Sequence, residues 1–241
     1  YTMRDSYLSI SEALQHAGSF HNARVNINWV AAQEIIQKRI DLSKFDGILV
    51  PGGFGNSGVE GKLSAVQFAR ERDVPYLGLC FGLQLAVVEF AQHVCNLDAH
   101  SSEINPNVKH KVVDILPEQQ SLTEKGGTMR LGSYCADLKQ GSKIRDIYGA
   151  ERVFERHRHR YEVNPLYHEI LQKNGLAFSG MSPDGKLIEF CELPGHRFFV
   201  ATQAHPEFQS SLLKPAPLFT AFVEACVAYS KEKVHPHANA P

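Results

Sequence analysis

The run Gly78-Leu79-Cys80-Phe81-Gly82 constrains this chain more than any other stretch. It separates an apolar segment, Val74-Pro75-Tyr76-Leu77-Gly78-Leu79, from an apolar helical pattern over Leu83 to Val94. Glycines two before and two after Cys80 allow a sharp, strained turn through which a strand passes directly into a helix. Such a turn lifts the central side chain out of the sheet edge and leaves room beside it for a substrate. The positive end of a helix dipole favours the anionic form of a thiol placed there. The spacing predicts a nucleophile elbow carrying sulfur. A buried structural cysteine would be the ordinary alternative for a lone free thiol, and the paired glycines argue against it.

Two distant segments supply matching chemistry. In Phe198-Phe199-Val200-Ala201-Thr202-Gln203-Ala204-His205-Pro206-Glu207-Phe208, an apolar strand ends in an imidazole and a carboxylate two residues apart. Pro206 fixes the backbone between them, so Glu207 can orient His205 and stabilise its charged form. Histidines occur twelve times in the chain, so a His-Pro-Glu tripeptide gains weight only from the elbow. Upstream, Phe45-Asp46-Gly47-Ile48-Leu49-Val50 runs into Pro51-Gly52-Gly53-Phe54-Gly55. Acyl transfer builds negative charge on a carbonyl oxygen, which fixed backbone N–H groups stabilise better than water. Gly53 and Phe81 are the expected donors. The competing reading is a phosphate-cradling loop, and neither Gly-x-Gly-x-x-Gly nor the lysine-bearing phosphate loop is expected in this stretch.

Together these residues resemble the class I, triad-type glutamine amidotransferases. The carrying motifs are Pro51-Gly52-Gly53-Phe54-Gly55, Gly78-Leu79-Cys80-Phe81-Gly82-Leu83-Gln84 and Gln203-Ala204-His205-Pro206-Glu207-Phe208. Two further segments, Gly126 to Gly132 and Glu155-Arg156-His157-Arg158-His159-Arg160-Tyr161-Glu162-Val163-Asn164, are similar to the glutaminase domains of the CTP synthase family. The resemblance extends from about Asp5 to about Tyr229.

The resemblance implies that Cys80 attacks the side-chain amide of L-glutamine, that His205 protonates the departing ammonia, and that Glu207 aligns the ring while a glutamyl thioester forms and is hydrolysed. It also implies that glutamine is held by Phe81, Gly82, Leu83 and Gln84, by Glu103 and by Arg160, with Gly53 as an oxyanion donor. A zwitterionic amino acid needs a carboxylate for its ammonium and cationic or backbone donors for its carboxylate. Taken without the resemblance, Glu103 reads as a solvated loop charge. The alternation Arg156-His157-Arg158-His159-Arg160-Tyr161 reads equally as a basic strand edge or a phosphate contact.

Further expectations follow from the family. Its ammonia passes to a synthetase domain that aminates UTP with ATP and Mg, GTP acts as an allosteric effector, and the full-length enzyme is a tetramer. This domain itself would need no cofactor and no metal. No lysine-bearing phosphate loop for a synthetase occurs here, which suggests an excised domain whose missing first strand predicts either an exposed sheet edge or a shifted boundary. Ser57 stands in Gly55-Asn56-Ser57-Gly58 where family members commonly carry an arginine linked to GTP activation, and Phe81 stands where leucine is common.

Composition agrees. With 241 residues, 43% of them hydrophobic, the chain can bury a full core. Twenty-five basic against twenty-six acidic residues give a net charge of -1, which supplies no general attraction to nucleic acid or an anionic membrane. Five cysteines, Cys80, Cys95, Cys135, Cys191 and Cys226, form no Cys-x-x-Cys pair, which fits a reducing, cytoplasmic setting. No apolar run approaches the roughly twenty residues needed to span a bilayer.

The expected fold is α/β, a doubly wound, mostly parallel central sheet with flanking helices and a strand-rich second half. Helices are expected over Ser6–His16, Ala32–Arg39, Gly61–Arg72, Gly82–Val94 and about Pro217–Lys231. Strands are expected over Val25–Val30, Gly47–Val50, Tyr76–Cys80, Lys111–Leu116, Thr128–Leu138 and Arg152–Val163, with a hairpin across Ser182-Pro183-Asp184-Gly185. One domain spans 1–233, and 234–241 reads as a flexible tail. Two rivals stand beside this: a stand-alone cysteine amidohydrolase acting on γ-glutamyl or other amides, and a non-catalytic assembly domain.

Overall fold

The computed structural model describes residues 4–115 and 129–234. In chain order the first half holds α1 (Leu8–Phe20), α2 (Ala32–Ile36), β1 (Ile48–Val50), α3 (Val59–Glu71), β2 (Tyr76–Leu79), α4 (Phe81–His93), β3 (Ala99–Ser101) and β4 (His110–Asp114). The second half holds β5 (Arg130–Leu138), β6 (Arg152–His159), β7 (Glu162–Val163), β8 (Ala177–Met181), β9 (Ile188–Glu192) and β10 (Phe199–Thr202). Short helices Lys143–Tyr148 and His168–Lys173 interrupt these strands, and helix Pro217–Val234 follows them.

A seven-stranded sheet runs in the order β1-β2-β10-β9-β8-β5-β6, and a three-stranded sheet in the order β3-β4-β7. Side-chain alternation along the inner strands winds the main sheet on both faces. Tyr76 of β2 and Phe199 and Ala201 of β10 turn toward the cluster built with α3 and α4. Leu77, Leu79 and Val200 turn toward the cluster that holds Ile10 and Leu14 of α1 and Leu218, Phe219 and Phe222 of the C-terminal helix. Each fully buried side chain of this size contributes about 1.5–3 kcal/mol. Tyr76 stacks on Phe199 with ring centroids 4.5 Å apart, and its hydroxyl donates to the Gly82 carbonyl at 2.9 Å. Its burial would otherwise leave that oxygen unpaired.

The α/β class and the strand-rich second half stand, with one refinement. β1, β2 and β10 are mutually parallel, whereas β9, β8, β5 and β6 join antiparallel. The sheet is therefore mixed, because the later strands are linked by hairpins and short connections that reverse direction. The turn across Ser182–Gly185 does join β8 to β9, with Gly185 N–H donating to Ser182 O at 2.7 Å.

Val25–Val30 forms no strand. Its alternating pattern is satisfied by half-burying Val25 and Ile27 beside α1 while Trp29 stacks on Tyr7 at 5.9 Å. Among the described residues β1 therefore pairs with β2 alone, and its other side is an open sheet edge. The expected strand Arg152–Val163 breaks at Arg160, and β7 crosses to the smaller sheet to pair with β4. The tail beyond Val234, Leu116 and the Gly126–Thr128 start of the Gly126–Gly132 segment lie outside the described residues.

Candidate active site

Cys80 sits between β2 and α4 with φ 52° and ψ −98°, a conformation costly for a residue with a Cβ. Several bonds hold it there. Its N–H donates to Thr202 O at 2.7 Å, and its carbonyl accepts from Leu83 N–H at 3.1 Å and Gln84 N–H at 3.2 Å. Gly82 is required for contact between helix and sheet, since a Cβ there would lie 2.2 Å from Val50 O. The thiol faces the carbonyl of Arg158 at 3.9 Å and the side-chain amide of Gln203 at 3.6 Å.

His205 arrives from the end of β10, its N–H anchored on Arg156 O at 2.8 Å. Glu207 Oε1 lies 2.8 Å from its Nδ1, and Phe208 stacks on the ring at 5.4 Å. Burial alone would lower the imidazole pKa, but hydrogen bonds to Cys80 and Glu207 and their charges outweigh it and raise the pKa to about 10. The backbone of Gly52 runs against both partners: a Cβ there would lie 2.8 Å from His205 Cε1 and 3.6 Å from Cys80 Cβ. Thiol, imidazole, carboxylate and glycine loop thus meet at the carboxyl ends of β1, β2 and β10, the usual ligand side of such a sheet.

An open cleft of about 1780 Å³ runs over this rim and on toward the free edge of β1. Gly53, Cys80, Gln84, Glu103, Arg160, His205 and Glu207 all line it. Phe81, Gly82 and Leu83 lie under its floor: Phe81 and Leu83 are buried in the core around α4, and Phe81 begins that helix with its N–H at the helix N-terminus. Glu103 is not a solvated loop charge, because its Oε1 accepts from Gly55 N–H at 3.0 Å. Counted on to Gly58, the loop Gly53-Phe54-Gly55-Asn56-Ser57-Gly58 does have Gly-x-Gly-x-x-Gly spacing. The Glu103 carboxylate already occupies one of its N–H donors and would repel a phosphate.

The alternation over Arg156–Tyr161 resolves into two faces of β6. Carbonyls of Arg156 and Arg158 touch the triad, and Arg158, Arg160 and Tyr161 line the cleft. His157 and His159 point inward to a buried charge cluster, 2.9 Å from each other. There Arg130 bridges Glu162 at 3.2 Å and Glu189 at 2.8 Å. Burial and the neighbouring cations push His157 down to about 2 and His159 down to about 3, while burial raises Glu162 to about 8. Lys62 is a residue the sequence motifs did not flag. Its ammonium lies 5.1 Å from the Phe81 ring and donates to Ser57 O at 3.3 Å, bracing the glycine loop. Gln203 stood in the sequence as the first residue of the Gln203–Phe208 motif, with no role of its own. Among the described residues no group of three or more His, Cys, Asp or Glu could hold a metal ion, and no helix is long and apolar enough to cross a membrane.

The sequence matches the family described as Glutamine amidotransferase class-I over residues 2–225. It is 55% identical over 233 residues to CTP synthase of Methanococcus maripaludis, covering 93% of this chain and 44% of that protein. It is 53% identical over 232 residues to CTP synthase of Methanocaldococcus jannaschii, covering 92% and 43%. The chain thus spans less than half the length of these curated relatives. Its fold superposes on the glutaminase domain of Trypanosoma brucei CTPS with bound acivicin with a TM-score of 0.88 and 38% identity, covering 95% of this chain and 91% of that one. With its fold, its thiol and imidazole, and a family match across almost its whole length in agreement, the chain belongs to the class I glutamine amidotransferases.

Proposed function

We propose that this chain is the glutaminase domain of a CTP synthase, hydrolysing L-glutamine through a cysteinyl thioester and delivering ammonia to a synthetase domain that aminates UTP. The observation that carries this is the meeting of Cys80 with a His205 imidazole held 2.8 Å from Glu207. Cys80 attacks the amide carbon, and the N–H groups of Gly53 and Phe81 hold the oxyanion. The imidazolium of His205 gives its proton to the leaving ammonia.

His205 then changes role without moving. Part of what raises its pKa is the partner sulfur, and that contribution falls away once the sulfur is acylated. Burial then counts for more, and the ring is ready to take a proton from the water that cleaves the thioester. Glu207 stabilises the charge that this step returns to the ring. Glu103 binds the substrate ammonium and Arg160 its carboxylate, while Gln84 closes the inner wall of the pocket.

The same reading places ATP and Mg in the synthetase part, a tetramer in the full-length protein, GTP as effector with Ser57 at the altered loop position, and the protein in the cytoplasm. The test is a thiol-directed glutamine analogue followed by mass mapping, with ammonia release measured for the parent and Cys80→Ala chains. Labelling at Cys80 and loss of ammonia release in Cys80→Ala support the assignment; labelling elsewhere, or equal release, removes it.

A further inference from the structure

Behind the nucleophile lies the amide of Gln203, fully shielded from solvent. Its Nε2 is 3.6 Å from Cys80 Sγ. Its Oε1 is 3.3 Å from Gln84 Nε2, and that nitrogen is 3.0 Å from the carbonyl oxygen of Tyr161. The two ends of a glutamine amide look alike in shape, but this chain of contacts distinguishes them. A backbone carbonyl only accepts, so Tyr161 fixes the NH2 end of Gln84. That NH2 group must in turn meet an acceptor, which fixes the Gln203 oxygen. The remaining end of Gln203, its NH2, is left facing sulfur.

Sulfur therefore has partners for both of its states. A thiol can donate to Arg158 O at 3.9 Å, and a thiolate can accept from Gln203 at 3.6 Å. Charge-assisted hydrogen bonds are about twice as strong as neutral ones, so the Gln203 contact favours the anion. The backbone of Gln203 is fixed as well, its N–H donating to Glu189 O at 2.9 Å. Glu189 is one of the two carboxylates bound by Arg130, so the buried cluster behind β6 holds this donor in place.

We propose that Gln203 is a catalytic residue whose side-chain N–H donates to the Cys80 sulfur, holding it ready for attack and receiving its charge when the thioester breaks. This rests on Cys80 being the glutaminase nucleophile. In acylation the sulfur gives its electron pair to the amide carbon, the C–N bond breaks, and ammonia leaves with the proton from His205. In hydrolysis the water oxygen bonds to the carbonyl carbon, the water proton passes to His205, and the C–S electron pair returns to sulfur. There it meets the Gln203 N–H.

The test compares the parent chain with Gln203→Met, which keeps length and loses the donor, and Gln203→Glu, which turns an acceptor toward sulfur. Alkylation of Cys80 by iodoacetamide is followed by mass mapping from pH 6 to 9, beside kcat and KM for glutamine. Gln203→Met is expected to slow Cys80 alkylation near neutral pH about tenfold, as loss of a charge-assisted hydrogen bond to the sulfur would. It should also lower kcat while KM stays within about twofold, and Gln203→Glu should be slower still. If Gln203→Met does not fold, Gln84→Met carries the test, because it leaves Gln203 in place and removes the amide that orients it; since Gln84 also lines the glutamine pocket, the readout is Cys80 alkylation alone, again expected to be slower. Equal alkylation rates in parent and variant across the whole range overturn the role of Gln203. A parent chain that alkylates at a different cysteine overturns the nucleophile assignment as well.

Discussion

At Gly52 the backbone runs against the His205 ring and beside Cys80. A methyl group there would lie 2.8 Å from His205 Cε1, closer than carbon atoms approach, and the ring has little room to retreat against Phe208. Gly52→Ala is expected to lower kcat about 10²-fold, the cost of displacing a catalytic group by about 1 Å. A thermal midpoint within a few degrees of the parent would separate this from unfolding. Glu207 offers a second readout at the same scale. Its bond to Nδ1 and its charge are among the causes that raise His205 to about 10, so Glu207→Gln is expected to move the imidazole titration to lower pH. Nitrogen-detected NMR of His205 would show the shift; an unchanged midpoint would mean that the carboxylate does not act on the ring. Cys80, His205 and Glu207 were legible because strand ends and bracketing glycines leave a pattern in the order of residues. The contacts of Lys62 and of the Gln203 side chain were not, because they join residues remote in sequence.

Among the elements, α3 and α4 are joined by a buried ion pair. Arg70 on α3 makes three hydrogen bonds to the Glu89 carboxylate on α4, at 2.7–3.1 Å, and that carboxylate has no solvent exposure. Arg70→Ala would leave the buried carboxylate facing the half-exposed His93 ring at 3.3 Å in place of the guanidinium, and is expected to cost about 3 kcal/mol. A paired Arg70→Met and Glu89→Leu substitution should recover most of that loss in denaturant titration. β6 carries a different signature. His157 and His159 are held neutral in the fold, at about 2 and about 3, well below their ordinary value near 6.5. Each therefore contributes stability that is complete above about pH 6.5 and is lost as pH falls toward the folded value, because the unfolded chain binds the extra protons. The slope is about 1.4 kcal/mol per pH unit for each proton. Urea midpoints measured between pH 6.5 and 5 should fall, and His157→Gln should flatten the fall. The helices and strands of the first half were legible from apolar runs and their periods. β6 and β7 merged into one expected strand because residue alternation continues across Arg160 while the chain changes sheets. Val25–Val30 was misread as a strand because a half-buried segment on a helix shows the same period of two.

For the whole molecule, the sequence pointed to a doubly wound α/β body with its chemistry on one rim, and the three motif-bearing strands β1, β2 and β10 do lie side by side. The mixed direction of the sheet was less legible, since residue order alone does not say which way a connection turns. Among the described residues β1 pairs with one strand, and residues of both α1 and the 23–35 segment border the cleft along its free edge. The glycine loop that carries the Gly53 N–H begins one residue after β1 ends. Amides of Ile48–Val50 should therefore exchange with deuterium faster than those of β2, which is flanked on both sides. Any extended segment laid along that border would dampen fluctuations of β1 and of the loop tethered to it, so turnover by this chain should respond to a neighbour that never touches glutamine.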